Sequence, residues 1–221
     1  MAGKISLKEK VYESVFEDIL NYEFKPNQII NEKELMGKYH CSKSPVREAL
    51  LSLCNDGVLR NIPRYGYEVI RLTREDIEDM LQFRYLLEGG LIKANIDKFY
   101  DAQMTKLEEH EKKNRLADQD VWTHWENNAS FHLQLMSFTR NECAYAELSR
   151  VMNRLKRAYA QLYWNRWESV VHNDTRYHQE IIACIRERDT KQLLVSLKKD
   201  IQDFGDFTCE IMDFFEQDEK R

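Results

Sequence analysis

The sequence predicts a mainly α-helical protein in two parts. An N-terminal domain of short helices and one β-hairpin is followed by a C-terminal all-α bundle of about six helices. Three observations carry this expectation. A short helix near residues 44–55 has sequence punctuation at both ends. Two apolar-bearing runs follow it around a Pro/Gly turn. All three prolines fall within the first 63 residues of a 221-residue chain with only seven glycines, so the remainder should be almost wholly helical.

Taken in order, Met1 to Leu7 reads as a loose arm. Lys8 to Tyr22 carries Val11, Val15 and Ile19 at four-residue steps and reads as a helix, which Glu23-Phe24-Lys25-Pro26-Asn27 breaks. Asn31 to Tyr39 reads as a second short helix and His40-Cys41 as a turn. In the next helix Ser44 is the expected N-cap, with Pro45 at the first helical position, where proline is best tolerated. Val46, Ala49, Leu50 and Leu53 give that helix one core face, and Gly57 suits a left-handed cap after Asn55-Asp56. Ser42, Lys43, Ser44 and Arg47 cluster at its N-terminus, where free N–H groups and the helix dipole already favour an anion. Val58–Ile62 and Tyr67–Ile70 then flank Pro63-Arg64-Tyr65-Gly66, a hairpin with Arg64 at its tip. Helix-turn-helix followed by a hairpin is a winged helix, and a basic, hydroxyl-rich helix N-terminus is how a recognition helix meets DNA.

Residues 8–70 resemble the DNA-binding domain of the GntR family of bacterial transcription regulators. The resemblance runs through Ile29-Ile30-Asn31-Glu32, Leu35, Ser42 to Leu50, Leu53, Gly57-Val58-Leu59 and Gly66-Tyr67-Glu68-Val69. It implies DNA contacts at Lys33, Ser42, Lys43, Ser44, Arg47, Arg64 and Gly66. Lys43 stands where the family usually has arginine and offers a point charge in place of a bidentate fork; Arg47 keeps the fork.

The whole chain sets limits on function. No apolar run approaches the length of a membrane span and no secretory signal is evident at Met1-Ala2-Gly3-Lys4. Five scattered cysteines show no Cys-x-x-Cys pair, and the odd count argues against a disulfide framework, so a cytoplasmic location is expected. The net charge of −5 divides unevenly: residues 1–72 hold 11 Lys+Arg against 10 Asp+Glu (+1), and residues 73–221 hold 22 against 28 (−6). The DNA-binding part must therefore present its few cations locally.

Thr73-Arg74-Glu75-Asp76 is a helix-start signature and the expected boundary between a DNA-binding domain, 1–72, and a helical effector-binding and dimerisation domain, 73–221. Six helices are expected beyond it, near 74–98, 102–117, 120–139, 142–167, 174–187 and 190–216. Their turns fall at Phe99-Tyr100-Asp101, Ala117-Asp118, Arg140-Asn141, Ser169 to Asn173 and Arg188-Asp189. Asp189 with Gln192 forms a capping-box-like start for the last helix. A six-helix bundle after a winged helix of this type resembles the FadR-type effector (FCD) domain, in its shorter VanR-like form. Arg84-Tyr85-Leu86-Leu87-Glu88, Asn128 to His132, and His178 through Asp189 to Asp200 carry that resemblance over most of 74–205.

Asn128 and His132, four residues apart, share one helix face. His178 precedes Asp189 by 11 residues and Asp200 follows it by 11, so in an antiparallel hairpin turning there the two sit level, roughly 16 Å from the turn. Four potential ligands on facing helices is a recurring way to build a metal site. The resemblance implies a divalent metal at four positions that are typically Asp, His, His and His. Here Asn128 replaces the acid and Asp200 the last histidine, which leaves one carboxylate in the set. Two imidazoles with two oxygen ligands suit zinc, manganese, nickel or iron. The alternative is a pair of buried, hydrogen-bonded histidines, with Asp200 paired to Lys156 or Arg154; His124 also shares the Asn128/His132 face.

Arg84 and Glu88 lie one turn apart. The resemblance implies that such an arginine holds an effector carboxylate, against the reading of an i,i+4 surface salt bridge. Tyr159, Tyr163, Trp164 and Trp167 read as core or dimer packing, and Glu108 to Lys113 as a solvated face. The expected protein is thus a homodimeric regulator on an inverted-repeat operator, with a small-molecule effector that is a carboxylate. Two rivals are a metal-dependent enzyme, for which no nucleophile or general base is evident beyond the ligands, and a structural DNA-binding protein without an effector.

Overall fold

The computed structural model of the chain describes residues 6–115, 121–165, 176–205, 207, 209–212 and 215. They fall into two compact units, one drawn from residues 1–73 and 154–165, the other from 74–153 and 166–221. The fold is mainly α, a winged helix-turn-helix together with a helical bundle.

In the first unit α1 (Leu7–Leu20) starts one residue earlier than the periodicity suggests, because Ser6 and Glu9 close a capping box on each other's backbone N–H. α2 (Glu32–Tyr39) is capped by Asn31, whose side chain accepts from Glu34 N–H, and ends at His40 in a left-handed conformation. α3 (Lys43–Asn55) corrects the expected start: Ser42, not Ser44, is the N-cap, and Pro45 is the third helical residue. Proline is tolerated there because the N–H groups of the first turn have no intrahelical partner to lose. The other end is as expected. Gly57 is left-handed at φ 65°, its N–H meets Cys54 C=O at 3.0 Å, and Val58 N–H meets Leu53 C=O at 2.8 Å, a Schellman cap.

β2 (Leu59–Ile62) and β3 (Gly66–Val69) form the hairpin, with Ile62 opposite Gly66. A third strand, β1 (Ile29–Ile30), pairs antiparallel with β3 and gives the order β1-β3-β2. Two residues are too short a run to show alternation, so periodicity could not reveal it. Val11, Val15 and Ile19, Leu35, then Val46, Ala49, Leu50 and Leu53, pack with Ile30, Leu59, Tyr67 and Val69 into one core. Residues 154–165 complete the unit. Gln161 exchanges hydrogen bonds with both backbone groups of Leu72 (3.0 and 2.6 Å), and Arg157 donates to Gly57 C=O at 2.8 Å. Tyr159 and Tyr163 are buried, and Trp164 stacks on Tyr22 at 4.3 Å between ring centroids. Trp167 lies outside the described residues.

The second unit holds α4 (Arg74–Asn95) with a 3-10 turn (Ile96–Lys98), α5 (Asp101–Arg115), α6 (Val121–Ser137), the first part of α7 (Glu142–Tyr163), α8 (His178–Glu187) and α9 (Thr190–Gln202). α8 packs on α9 and α5, and α4 on α9. Ile77, Leu81, Tyr85 and Ile92 of α4 are buried, as are Phe131 and Leu135 of α6, Ile181 and Ile185 of α8, and Leu193 and Leu197 of α9. Asp189 caps α9 by accepting from Gln192 N–H at 2.9 Å. The expected turns at Ala117-Asp118 and Ser169 to Asn173 lie outside the described residues. The last helix ends at Gln202, not near residue 216, which corrects the expected span. Beyond it Gly205 turns left-handed at φ 63°, and Phe204 and Ile211 are buried. Gln82 also exchanges hydrogen bonds with both backbone groups of Met212 (3.1 and 2.7 Å). Burial of those side chains, together with this pairing of Met212, outweighs the helix propensity of the segment.

Candidate functional site

The interior of the second unit contains polar and charged side chains where a bundle normally carries apolar ones. Arg84 and Glu88 of α4, Glu111 of α5, Asn128 and His132 of α6, His178 at the start of α8 and Asp200 of α9 are all buried. Each group sits in phase with its helix's apolar stripe. Arg84 and Glu88 follow Ile77 and Leu81, and Glu111 follows Met104 and Leu107.

His132, His178 and Asp200 converge, offering one ligand atom each within 4.8 Å of one another. His132 Nε2 lies 2.9 Å from Asp200 Oδ2, and His178 Nε2 lies 3.6 Å from Asp200 Oδ1. Although near, these four atoms are out of alignment for hydrogen bonding and are buried without such a partner. The outer ring nitrogens turn the other way. His132 Nδ1 hydrogen-bonds Glu88 Oε2 at 2.6 Å, and His178 Nδ1 lies 3.0 Å from Glu111 Oε2, a close approach without hydrogen-bond alignment. Phe131 stacks on the His178 ring, 3.7 Å between centroids.

Imidazoles oriented from behind by carboxylates, with their other nitrogens aimed at a shared carboxylate, suit a divalent metal. The orphaned inward atoms make the same point, since buried polar groups left unpaired are costly. The chemistry of the donors fits the group the resemblance implies. Asn128 is buried one turn before His132 on the same helix, while His124 lies outside the converging group.

Arg84 and Glu88 are not a surface pair. Arg84 Nε donates to Glu88 Oε1 at 2.8 Å with both side chains buried, and Arg84 Nη2 has no hydrogen-bond partner. Burial alone would raise the Glu88 pKa, but Arg84 and then His132 outweigh it and hold it down to about 2. Burial alone would lower that of His132; Glu88, with Asp200 adding, lifts it to about 9 against the opposing charge of Arg84. Asp200, in turn, faces two imidazoles. The expectation of a solvated face at Glu108 to Lys113 is corrected at Glu111, which is 2% exposed. Its place on the Met104–Leu107–Glu111 stripe was the signal. Glu111→Gln, which keeps the size but not the charge behind His178, is expected to cost about 10- to 100-fold in metal affinity, read by competition with a chelating dye.

In the first unit Lys33, Ser42, Lys43, Ser44, Arg47 and Arg64 are exposed. The structure brings Ser42, Lys43, Ser44 and Arg47 together on the opening turns of α3, places Lys33 on α2, and sets Arg64, left-handed at φ 73°, at the hairpin tip beside the exposed Tyr65. Gly66 plays a steric part: a Cβ there would meet Ile30 C=O at 2.4 Å.

Residues 7–69 match the family model for bacterial regulatory proteins of the gntR family, and residues 79–202 match that for the FCD domain. The second match alone spans more than half of the chain. The chain belongs to the gntR family of bacterial regulatory proteins. This regulator is 27% identical over 199 residues to an uncharacterised HTH-type transcriptional regulator, YdhC, of Bacillus subtilis (strain 168), covering 86% of this chain and 88% of that protein. It is 27% identical over 190 residues to the gluconate operon transcriptional repressor of Bacillus licheniformis, covering 79% and 74% of the two chains. Among solved structures, Escherichia coli McbR/YncC aligns with a TM-score of 0.72 at 19% identity, over 90% of this chain and 95% of that one, a likeness of fold. These relatives and families are transcriptional regulators, not enzymes. The regulator is thus a DNA-binding transcription regulator with an FCD effector domain, and among its described residues no helix is long and apolar enough to cross a membrane.

Proposed function

We propose that this regulator reads an inverted-repeat operator as a cytoplasmic homodimer and that a small carboxylate, bound at a divalent metal in the FCD domain, controls its operator affinity. The observation carrying this reading is the buried His132/His178/Asp200 cluster, whose inward nitrogens and oxygens lack hydrogen-bond partners. His132, His178 and Asp200 would hold the metal, with Asn128 as the fourth candidate. When bound, the metal supplies a Lewis-acidic anchor for an anionic ligand. Glu88 hydrogen-bonds His132 at Nδ1 and Glu111 lies 3.0 Å from His178 Nδ1, so the two carboxylates would orient rings that turn Nε2 inward. Arg84, fixed at Nε by Glu88, has a buried Nη2 available to a second carboxylate oxygen and so selects a planar anion.

A ligand can regulate only by binding DNA-competent and DNA-incompetent states with different affinity, and the coupling is reciprocal. Carboxylates found to shift the melting temperature of the zinc-loaded protein are titrated into wild-type and Arg84→Ala protein, with and without operator. Arg84→Ala should weaken carboxylate binding about tenfold or more and leave effector-free operator binding nearly unchanged. Equal carboxylate affinity in both proteins removes Arg84 from the site; equal affinity with and without operator removes the regulatory role.

At the DNA, Arg47 is proposed to read a base edge, and Lys33 and Lys43 to hold phosphates. Arg47→Ala should cost about 1–3 kcal/mol of discrimination, whereas Lys33→Ala should weaken binding to every sequence and flatten the salt slope by about one. Folded Arg47→Ala protein with unchanged operator preference would overturn the assignment.

A further inference from the structure

One acidic group stands among the cations of the proposed DNA-reading surface. Glu32, the first residue of α2, has its carboxylate 3.5 Å from Lys43 Nζ through Oε2 and 3.9 Å from Arg47 Nε through Oε1. Tyr67 of β3 directs its hydroxyl at the same Oε1, at 3.5 Å. Glu32 is largely covered, while both cations are well exposed. A carboxylate touching the two cations that would face nucleic acid works against phosphate attraction, the main source of sequence-independent affinity. Capping of α2 does not require it, because Asn31 supplies that bond to Glu34 N–H.

We propose that Glu32 is a specificity-determining positioning residue. It restrains Arg47 from the Nε side, leaving the two Nη groups to present their fork to a base edge, and it offsets one positive charge so that non-cognate DNA is held weakly. The Tyr67 hydroxyl keeps the carboxylate in place. The offset charge weakens binding to every duplex, and the discrimination comes from the restrained Arg47 fork. This rests on Arg47 being the base-reading residue, and the test separates the two claims.

The experiment measures affinity for the duplex that wild-type protein selects from a randomised pool and for a scrambled duplex of the same composition, across a salt series. Glu32→Gln, which keeps size and the Tyr67 partner, is expected to bind the scrambled duplex several-fold more tightly at low salt, with a steeper salt dependence. The ratio of selected to scrambled affinity should fall about tenfold. In an Arg47→Ala background the same change should still tighten scrambled binding, through Lys43, but leave the ratio unaltered. A merely structural role predicts a lowered melting temperature and equal weakening on both duplexes. That pattern, or an unchanged ratio in Glu32→Gln protein, overturns the proposal. If Arg47→Ala alone leaves the ratio intact, the base-reading assignment has failed and takes the Arg47 half of this inference with it; tightened scrambled binding of Glu32→Gln would then still support the charge half.

Discussion

Replacing His132 and His178 together by alanine is expected to lower zinc affinity by more than about a hundredfold, since both inward nitrogens of the proposed centre are lost. Removing these rings also takes one of two partners from Glu88, which keeps Arg84, and leaves Asp200 and Glu111 without the imidazoles they face, a loss of about 3–5 kcal/mol for a broken buried pair. His178→Gln, which keeps bulk and polarity, is therefore measured beside the double variant. Zinc uptake by wild-type protein no tighter than by either variant would end the metal reading.

The pH dependence separates the metal centre from a buried ion cluster, because the two respond with opposite sign. In metal-free protein His132 is raised from 6.5 to about 9, so its contribution is complete below 6.5 and is lost as pH rises through 9. Glu88 is lowered from 4.5 to about 2, so its contribution is complete above 4.5 and is lost as pH falls through 2. Metal-free protein should therefore lose stability from pH 7 to 9, by an amount on the order of 1–3 kcal/mol. Metal binding requires an unprotonated Nε2 and should strengthen over the same interval. The melting temperature of metal-free protein should fall while the shift produced by a fixed free zinc concentration grows. A zinc-induced shift that shrinks with pH would contradict the assignment.

Gly66→Ala is expected to destabilise the first unit by about 3 kcal/mol or more. Two independent effects add. The backbone at Gly66 has φ 135°, a region closed to side-chain-bearing residues, and the new Cβ would lie 2.4 Å from the Ile30 carbonyl oxygen. That atom belongs to β1, whose Ile30 pairs with Tyr67, so relief would require separating β1 from β3. The urea midpoint of Gly66→Ala protein, compared with wild type, measures this; an unchanged midpoint would show that the sheet yields freely. DNA binding by this variant should fall with the unfolded fraction, which distinguishes a steric role from the DNA contact expected at this position.

Local signals were legible because their physics is local. The Schellman cap at Gly57, the hairpin between Ile62 and Gly66 and the Asp189 cap are each set by residues within a few positions of one another. At the start of α3 both Ser42 and Ser44 are capable caps, and the choice of Ser42 depends on how the core seats Val46, Ala49 and Leu50. The long last helix failed because Phe204 and Ile211 are as apolar as a helix stripe requires, and only their burial bends the chain away.

The sequence by itself determined the three short helices and the hairpin of the DNA-reading unit, though not its strand β1, and the presence of His132, His178 and Asp200 on helices that could face one another. Heptad-like spacing assigns residues to faces without saying which face meets which. Only the tertiary structure decided that Glu88 stands behind His132 and Glu111 behind His178, that Arg84 is buried, and that Glu32 lies among the cations of α3. A charged side chain on an amphipathic helix belongs to solvent by default. What overrides the default here is the set of opposite charges within about 3 Å, Arg84 from one turn earlier on the same helix and His132 and His178 from other helices, whose attraction offsets part of the desolvation cost, and the proximity of residues as far apart as 88 and 132 is written in no local pattern.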